Sequence, residues 1–228
     1  INMLAIIPAK KNSKRLPNKN IKLLNGKPLI AYTIQAAKKS KVIDRIIVST
    51  DCPKIASISR KYGAEVPFYR PKKLTGNKIG KVEVCRHVIK LLNKKEAIKY
   101  ENIVVLQPTS PLRIAQDIDQ SFKIFKKKKA NSVISFSQTK PMEWYHELKK
   151  NGKFKAIKKN YKISKKSKIN FVLNGAIYIF KTNFILKNKN YKSNSYYYIM
   201  PKKRSVDIDD IYDFKYAEYI ISEKKNYE

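Results

Sequence analysis

Two aspartates near the end of the chain are spaced for joint chemistry. Residues 205–210 (SVDIDD) place Asp207 and Asp209 two positions apart, in the densest acidic group of a basic chain. In an extended segment such residues point to the same side, while the apolar residues beside them face the core. Two carboxylates, completed by phosphate oxygens and water, suit Mg²⁺. The alternative is capping of a helix predicted to begin at Ile211, for which Asp209 or Asp210 would serve.

A cluster of cations follows the first apolar run of the chain. Residues 8–20 (PAKKNSKRLPNKN), here called the basic loop, carry five lysine or arginine side chains and lead towards a turn at residues 25–29 (NGKPL). A loop at the carboxyl end of a strand, with cations and free backbone N–H groups, can hold a polyphosphate. In so lysine-rich a chain, a solvated turn without a ligand is the alternative.

A glutamine marks the end of a third apolar run. Residues 106–113 (LQPTSPLR) contain Gln107, whose amide presents a donor and an acceptor to the edge of a nucleobase. Two prolines stiffen the turn, and Ser110 and Arg113 are candidates to fix either the loop or a ligand. The structural interpretation is a rigid loop in which Asp117 or a neighbour caps the next helix.

Together these motifs resemble the acylneuraminate cytidylyltransferases, a branch of the nucleotide-sugar pyrophosphorylases. The family opening has the form PAR-x-x-S-K-x-x-P-x-K-N followed by NGKPL, and the matching positions of the basic loop are Ser13, Lys14, Pro17, Lys19 and Asn20. Residues 46–51 (IIVSTD), 63–71 (GAEVPFYRP), 106–113 and 174–179 (NGAIYI) also match, as does the final SVDID. The Lys19-Asn20 pair disfavours the related Kdo cytidylyltransferases, which remain the nearer enzyme alternative.

The resemblance implies an enzyme that joins CTP to a nonulosonic, sialic-acid-like sugar for surface glycan and lipopolysaccharide synthesis. The C2 hydroxyl of the sugar would attack the α-phosphate and release pyrophosphate, with catalysis by positioning and charge neutralisation. The implied roles are catalysis by Lys14 and Lys19, nucleotide binding by Lys10, Asn20, Arg70 and Gln107, sugar binding by Asn174 and Lys165, and Mg²⁺ binding by Asp207 and Asp209. Asp210 is left to cap the following helix, and Asn174 is expected to lie before a strand and face the sugar.

Three regions depart from the family pattern. Lys10 stands where the family has an arginine, so the charge is kept but the bidentate geometry is lost. Residues 75–81 (TGNKIGK) replace a cluster of acidic and hydroxyl residues that often meets the base, and Lys81 or a neighbour stands in place of the hydroxyl. Residues 140–168 match loosely, and Lys165, Lys166 and Lys168 are the nearest substitutes for the expected cations at the sugar carboxylate.

Alternating elements are predicted to position these residues. We expect strands at Leu4–Pro8, Arg45–Ser49, Asn102–Gln107, Ser132–Phe136 and Ile177–Phe180, and helices at Leu29–Lys39, Pro53–Tyr62, Val82–Leu92, Asp117–Lys127 and Ile211–Glu223. This order predicts an α/β fold with a mostly parallel (mixed) sheet flanked by helices, and a site at the carboxyl ends of the strands. The resemblance specifies a Rossmann-like, nucleotide-diphospho-sugar transferase-like fold. It also implies one domain over residues 1–228, with residues 140–170 as an inserted lobe or a homodimer contact.

The net charge of +34 raises a rival interpretation, a protein that binds nucleic acid or another polyanion. Only seven of the 51 basic residues are arginine, and the lysines are spread among abundant Ile, Asn and Tyr, as AT-rich codon usage produces. Arginine forks for base edges are therefore scarce, and no specific nucleic acid is expected as a partner. No apolar run reaches the ~18–20 residues of a membrane span. Cys52 and Cys85 are expected to be reduced thiols of a cytoplasmic protein.

Overall fold

The computed structural model describes residues 2–13, 15–76, 79–96, 99–141, 144–156, 169–187 and 194–225. The strands are β1 Met3–Pro8, β2 Leu23–Leu24, β3 Lys27–Pro28, β4 Arg45–Ser49, β5 Asn102–Leu106, β6 Ser132–Thr139, β7 His146–Leu148, β8 Phe154–Ala156, β9 Asn170–Lys181 and β10 Ser195–Ile199. The α-helices are α1 Leu29–Lys39, α2 Pro53–Lys61, α3 Lys81–Lys95, α4 Ala115–Lys127, α5 Thr182–Lys187 and α6 Ile211–Lys225. Short 3₁₀ helices lie at Lys19–Ile21, Lys72–Leu74 and Lys202–Arg204.

Six strands form one mixed sheet in the order β10-β6-β9-β5-β1-β4. Strand β1 pairs in parallel with β4 and β5, and β10 pairs in parallel with β6. Strand β9 runs antiparallel to both of its neighbours, β5 and β6. Since β1, β4 and β5 share a direction, their carboxyl ends meet at one edge of the sheet, where a site is expected.

The first strand shows why the sheet lies between two layers of helices. Successive side chains of a strand point to opposite faces. Met3, Ala5 and Ile7 therefore enter one apolar cluster, which also contains residues of α1, α2 and α4. Leu4 and Ile6 enter a second cluster with residues of α3 and α5. Burial on both faces explains the unbroken apolar sequence of this strand, and the predicted α/β fold is confirmed.

Two features of the sheet differ from the sequence-based expectation. The predicted strand Ile177–Phe180 is the end of the longer β9, and β10 was not predicted. The described residues between β6 and β9 contain the hairpin strands β7 and β8 and no α-helix, and β9 runs antiparallel to β6. Strand β10 is short, partly exposed and at the sheet edge, so it lacks the buried apolar run that identifies the inner strands.

A separate two-stranded sheet lies in the region predicted to form an inserted lobe. Strands β7 and β8 pair with each other in antiparallel register. The single-domain assignment and the lobe within residues 140–170 stay predictions. None of the helices in the described part of the chain combines the length and apolar character needed to cross a membrane.

Candidate active site

A cavity of about 430 Å³ opens where β1 and β5 end. It is lined by the basic loop and by the start of the turn that follows β5. Of the residues predicted from the sequence, Lys10, Lys19, Asn20 and Gln107 line it. Arg15, for which no role was predicted, also lines it. The structure thus brings the basic loop and the glutamine of the LQPTSPLR motif to one cleft.

The basic loop is closed by hydrogen bonds from within and outside it. The Asn20 side-chain amide donates to the backbone oxygen of Lys10 at 3.0 Å. The Lys10 Nζ lies 3.4 Å from the backbone oxygen of Thr75. The backbone N–H of Lys11 donates to Asp51 at 2.8 Å. These contacts hold the loop in place beside the end of β4, and its cations Lys10, Arg15 and Lys19 line the cleft.

Lys19 connects the basic loop to the aspartates. Its side chain is only 12% exposed and its Nζ lies 3.7 Å from an Asp209 carboxylate oxygen. It also donates to the backbone oxygen of Ile208. Burial lowers the pKa of Lys19 from its ordinary value, and the charges of Asp209 and Asp207 oppose that change. A positive charge is therefore held between the two sides of the cleft.

The segment at residues 205–210 is here called the aspartate segment. One of its carboxylates caps helix α6, and two others lie beside the cations of the cleft. Asp210 accepts hydrogen bonds from the backbone N–H groups of Tyr212 and Asp213 at 2.9 and 3.1 Å, and so caps α6. Asp213 accepts in return from the backbone N–H groups of Asp209 and Asp210 at 2.9 and 3.2 Å. Capping thus falls on Asp210, as predicted, and leaves the carboxylates of Asp207 and Asp209 for another role.

The two remaining carboxylates have different surroundings. Asp209 forms an ion pair with Arg15 at 2.8 Å, in addition to its contact with Lys19. Asp207 is an exposed residue, yet loss of hydration raises the pKa of its carboxyl, and the charge of Asp209 adds to the rise. Two interacting carboxylates beside a cavity lined with cations are suited to an ion and a polyphosphate together.

The donor set fits Mg²⁺. This ion is commonly held by one or two carboxylates, with substrate phosphates and water completing an octahedron. Asp207 and Asp209 would supply two hard oxygen ligands, and a cation at Asp209 would compete with its partners Arg15 and Lys19. The described residues contain no group of three or more His, Cys, Asp or Glu suited to a metal ion. A cation here would therefore depend on phosphate oxygens as well.

Gln107 approaches the aspartate segment across a glycine. Its side-chain amide donates to the backbone oxygen of Gly175 at 2.8 Å. A Cβ added to Gly175 would lie 2.8 Å from Gln107 Nε2 and 3.1 Å from Asp207 Oδ2. Gly175 also has a φ of +76°. Only glycine combines this backbone conformation with such close neighbours on both sides.

Arg113 fixes the loop, so one alternative left open by the sequence is resolved. Its side chain is 2% exposed. The guanidinium donates to the backbone oxygens of Ala176 and Gln107, at 2.8 and 3.3 Å, and to Thr33 Oγ1 at 2.7 Å. Burial lowers its pKa to about 9. Asp117 accepts from the backbone N–H of Ile114 at the start of α4, as the capping interpretation predicted.

Two residues predicted to contact ligands, Arg70 and Asn174, are not among those that line the cleft. Arg70 is 6% exposed, and its guanidinium donates to the side chain and backbone oxygens of Ser49 at the end of β4. Asn174 was expected before a strand, but it lies inside β9 and is 4% exposed. Its amide contacts Ser135, Ala176 and Ser205. Long-range packing produced both placements, and the local sequence does not show it.

Lys14 and Lys165 lie outside the described residues, as do Lys166 and Lys168. Two other cations near the cleft had no specific role predicted. Arg15 contacts Asp209, and its place in the basic loop was the available signal. Lys81 begins α3, with its ammonium 4.4 Å from the centre of the Tyr178 ring, and its charge opposes the raised pKa of Asp207.

A mixed α/β sheet, a basic loop after its first strand and carboxylates beside the cations of that loop form the arrangement expected of a nucleotidyltransferase. The sequence profile described as "Cytidylyltransferase" matches residues 4–227, and the chain belongs to that family. The resemblance inferred from the motifs is thereby confirmed.

Named relatives are similar over almost the whole chain. An N-acylneuraminate cytidylyltransferase of Escherichia coli O18:K1:H7 is 35% identical over 228 residues, which cover 98% of this chain and 53% of that protein. The chain thus spans about half the length of that relative. A CMP-N,N'-diacetyllegionaminic acid synthase of Legionella pneumophila is 35% identical, with 97% of each chain covered. A pseudaminic acid cytidylyltransferase of Campylobacter jejuni is 28% identical, with 95% of each covered.

Solved structures support the fold. A CMP:2-keto-3-deoxy-manno-octonic acid synthetase complexed with CTP superposes with a TM-score of 0.73 at 13% identity, covering 98% of this chain and 100% of that one. The 4-diphosphocytidyl-2C-methyl-D-erythritol synthase of Anaerococcus prevotii gives a TM-score of 0.66 at 14% identity, covering 96% and 98%. At these identities the likeness shows the shared fold alone.

Proposed function

We propose that this protein joins CTP to a nonulosonic acid and releases the CMP-sugar and pyrophosphate. The relatives named for N-acylneuraminate, legionaminic acid and pseudaminic acid support the sugar class. One observation carries the proposal: Lys19 reaches from the basic loop to Asp209, so cations suited to a triphosphate and carboxylates suited to its metal share one cleft. For the Kdo alternative there is a likeness of fold at 13% identity, which does not extend to the substrate.

The proposed reaction is a displacement at phosphorus. The C2 hydroxyl oxygen of the sugar forms a bond to the α-phosphorus, the bond to the bridging oxygen of the β-phosphate breaks, and the hydroxyl proton passes to solvent. Lys10, Lys14 and Lys19 would bind the phosphates and offset the negative charge that develops on pyrophosphate. Positioning and charge compensation supply the catalysis of such reactions.

Asp207 and Asp209 would hold Mg²⁺, which supplies charge neutralisation and lowers the pKa of a nearby hydroxyl. For Asp209 to accept the ion, Arg15 and Lys19 must share or leave its carboxylate. The triphosphate is negatively charged, like the Asp209 carboxylate, and so offers Arg15 and Lys19 an alternative partner. Binding of the nucleotide therefore prepares Asp209 for the metal.

Two kinds of nucleotide-binding residue are proposed: those that line the cleft and those that support its walls. Gln107 lines it and presents its amide to the base. Asn20 shapes the basic loop through its contact with Lys10. Arg70 would act through Ser49 and the end of β4 rather than by lining the cleft. For the sugar, we propose that Lys165 binds the carboxylate.

We also propose a cytoplasmic homodimer that serves surface glycan or lipopolysaccharide synthesis. An apolar groove of about 570 Å³ runs over β6, β9 and β10. Leu173 and Tyr197 on its walls are 45% and 63% exposed, which favours a protein partner for this face. Light scattering of Leu173→Glu should give half the wild-type mass, while Leu23→Glu, at an exposed leucine of β2, should not. A monomeric wild type contradicts the dimer.

A pyrophosphate-release assay tests the reaction. Purified protein with CTP and Mg²⁺ is offered neuraminic, legionaminic, pseudaminic and Kdo sugars in turn. We expect release with at least one of the first three and little with Kdo. Absence of turnover with every nonulosonic acid contradicts the proposal.

A thermal melt separates the enzyme from a polyanion-binding protein. CTP with Mg²⁺ should raise the melting temperature more than ATP, GTP or UTP does, because a ligand stabilises the state that binds it. A polyanion-binding protein would instead bind any duplex tightly, with a steep dependence on salt. Equal stabilisation by all four nucleotides would remove the cytidine assignment.

A further inference from the structure

Strand β9 contains an irregularity directly beside the cleft. Its pairing with β6 joins Ile134 to Tyr178 and Phe136 to Leu173, with a register shift between these pairs. Between them β6 contributes only Ser135, whereas β9 contributes residues 174–177. We call residues 174–177 the β9 bulge. Such bulges bend a strand and re-aim its side chains, and they are frequent beside active sites.

Side chains replace the backbone hydrogen bonds that the bulge loses. Ser135 Oγ donates to Asn174 Oδ1 at 2.6 Å and accepts from the backbone N–H of Ile177 at 2.8 Å. Asn174 Oδ1 also accepts from the backbone N–H of Ala176 at 3.2 Å. Asn174 is 4% exposed and Ser135 fully buried. Because buried polar groups need partners, this pair maintains the shape of the bulge.

The other end of the Asn174 amide holds the aspartate segment. Its Nδ2 donates to Ser205 Oγ at 3.1 Å. Ser205 Oγ in turn donates to the backbone oxygen of Pro201 at 2.9 Å. Asn174 therefore uses its acceptor for the bulge and its donor for the segment that carries Asp207. Both ends of the amide are engaged with the protein and neither points to open solvent.

The segment is anchored on both sides of Asp207. Beyond it, the backbone N–H of Ile208 donates to the backbone oxygen of Thr109 at 2.8 Å. Before it, Arg204 donates to both carboxylate oxygens of the buried Asp117, at 2.6 and 3.0 Å. Asp207 thus lies on a short segment that is held on both sides. The Asn174–Ser205 hydrogen bond is the contact between this segment and the bulge.

We propose that Asn174 is a positioning residue, which holds the β9 bulge and Ser205 together so that Asp207 and Gln107 meet across Gly175. This inference rests on the proposed function in that Asp207 is taken as a metal ligand. It differs from the role implied by the family resemblance, in which Asn174 contacts the sugar. The two roles predict different measurements.

The first experiment compares Asn174→Ala with Ser205→Ala. Manganese binding in the presence of CTP is measured by electron paramagnetic resonance, and KM is measured for the sugar that the wild type uses. Both variants should weaken Mn²⁺ binding about 10-fold, as loss of a contact behind a metal ligand does. The double variant should lose less than the sum of the two single losses, because both changes remove the Asn174–Ser205 contact. KM for the sugar should not change.

Ser59→Ala serves as the matched control. Ser59 is also fully buried and bonds a backbone oxygen within α2, away from the cleft. It should leave Mn²⁺ binding unchanged even where it lowers the melting temperature. If Asn174→Ala fails to fold, Ser205→Ala carries the test, because that residue lies in a loop and is partly exposed.

Three outcomes would overturn the inference. One is a rise in the sugar KM of Asn174→Ala without any loss of Mn²⁺ binding, which indicates a sugar ligand. Another is unchanged Mn²⁺ binding in both variants. The third is additive loss in the double variant. Failure of the wild type to use any nonulosonic acid contradicts the proposed function alone, because Mn²⁺ and CTP binding are measured without the sugar.

Discussion

The two walls of the cleft are built in different ways. The basic loop faces the cavity with long charged side chains, and Arg15 is 68% exposed at its side chain. The aspartate segment is fixed by the Asn174–Ser205 contact before Asp207 and by the backbone of Thr109 after it. We call the basic loop the adaptable wall, because its long side chains can adjust to a ligand. We call the aspartate segment the fixed wall, because hydrogen bonds hold it without a ligand.

The difference follows from what each wall is proposed to bind. A triphosphate is flexible and highly charged, so lysine and arginine side chains can adapt to it. Mg²⁺ demands near-octahedral geometry, and its protein ligands need to be held in place. Lys19 belongs to the first wall but is buried against the second, with its Nζ 3.7 Å from an Asp209 carboxylate oxygen.

The largest expected effect comes from removing a carboxylate of the fixed wall. Asp209→Ala should reduce pyrophosphate release by about 10³-fold or more, because charge neutralisation by a metal is worth several kcal/mol in the transition state. Asp119→Asn is the control, since Asp119 bonds Ser40 far from the cleft. Turnover that survives Asp209→Ala would remove the metal assignment.

A smaller effect is expected when the spacing between Gln107 and Asp207 is altered. Gly175→Ala places a methyl group 2.8 Å from Gln107 Nε2. Gly26→Ala is a close control, because Gly26 has the same φ of +76° with nothing within 4 Å. Both variants incur about 1–2 kcal/mol of backbone strain. Only Gly175→Ala should also lower kcat, by about 10- to 100-fold; equal activities would show that the spacing is unimportant.

The adaptable wall should tolerate the loss of one cation. Arg15→Gln should raise KM for CTP several-fold and leave the melting temperature nearly unchanged, because exposed ion pairs contribute about 0–1 kcal/mol. The exposed Lys11 of the same loop provides the control Lys11→Gln, whose side chain is not among those that line the cavity. A drop of many degrees in the melting temperature of Arg15→Gln would show that this wall is as fixed as the other.

The smallest effect concerns stability. Lost hydration raises the pKa of Asp207, so the native state binds a proton more readily than the unfolded chain. The ionised carboxylate therefore lowers the stability of the ligand-free protein at neutral pH, and this cost fades as pH falls. Asp207→Asn should melt slightly above the wild type at pH 7, with the gain shrinking in acid, although its turnover is lost. A lower melting temperature at pH 7 would contradict this account.

The sequence predicted those parts of the molecule that depend on neighbouring residues. Unbroken apolar runs identified β1 and β5, and helix α1 was predicted with its observed bounds. The basic loop and Gln107 were placed at one cleft because the carboxyl ends of parallel strands meet. Capping by Asp210 followed from its position before an apolar helix.

The remaining features depend on pairing between distant segments. The β9 bulge depends on how β9 pairs with β6, and its register shift is completed by Ser135 of that distant strand. Arg70 was matched to a nucleotide contact by motif, yet the fold buries its guanidinium against Ser49. The direction of β9 is likewise a property of the assembled sheet.

The position of the antiparallel strand β9 also affects the order in which the sheet can assemble during synthesis. Strand β9 lies between β5 and β6, although it leaves the ribosome after both of them. Until it emerges, β4, β1 and β5 can form one sheet while β6 has no link to it. The aspartate segment follows later still, so the complete cleft exists only after residue 210 has been made.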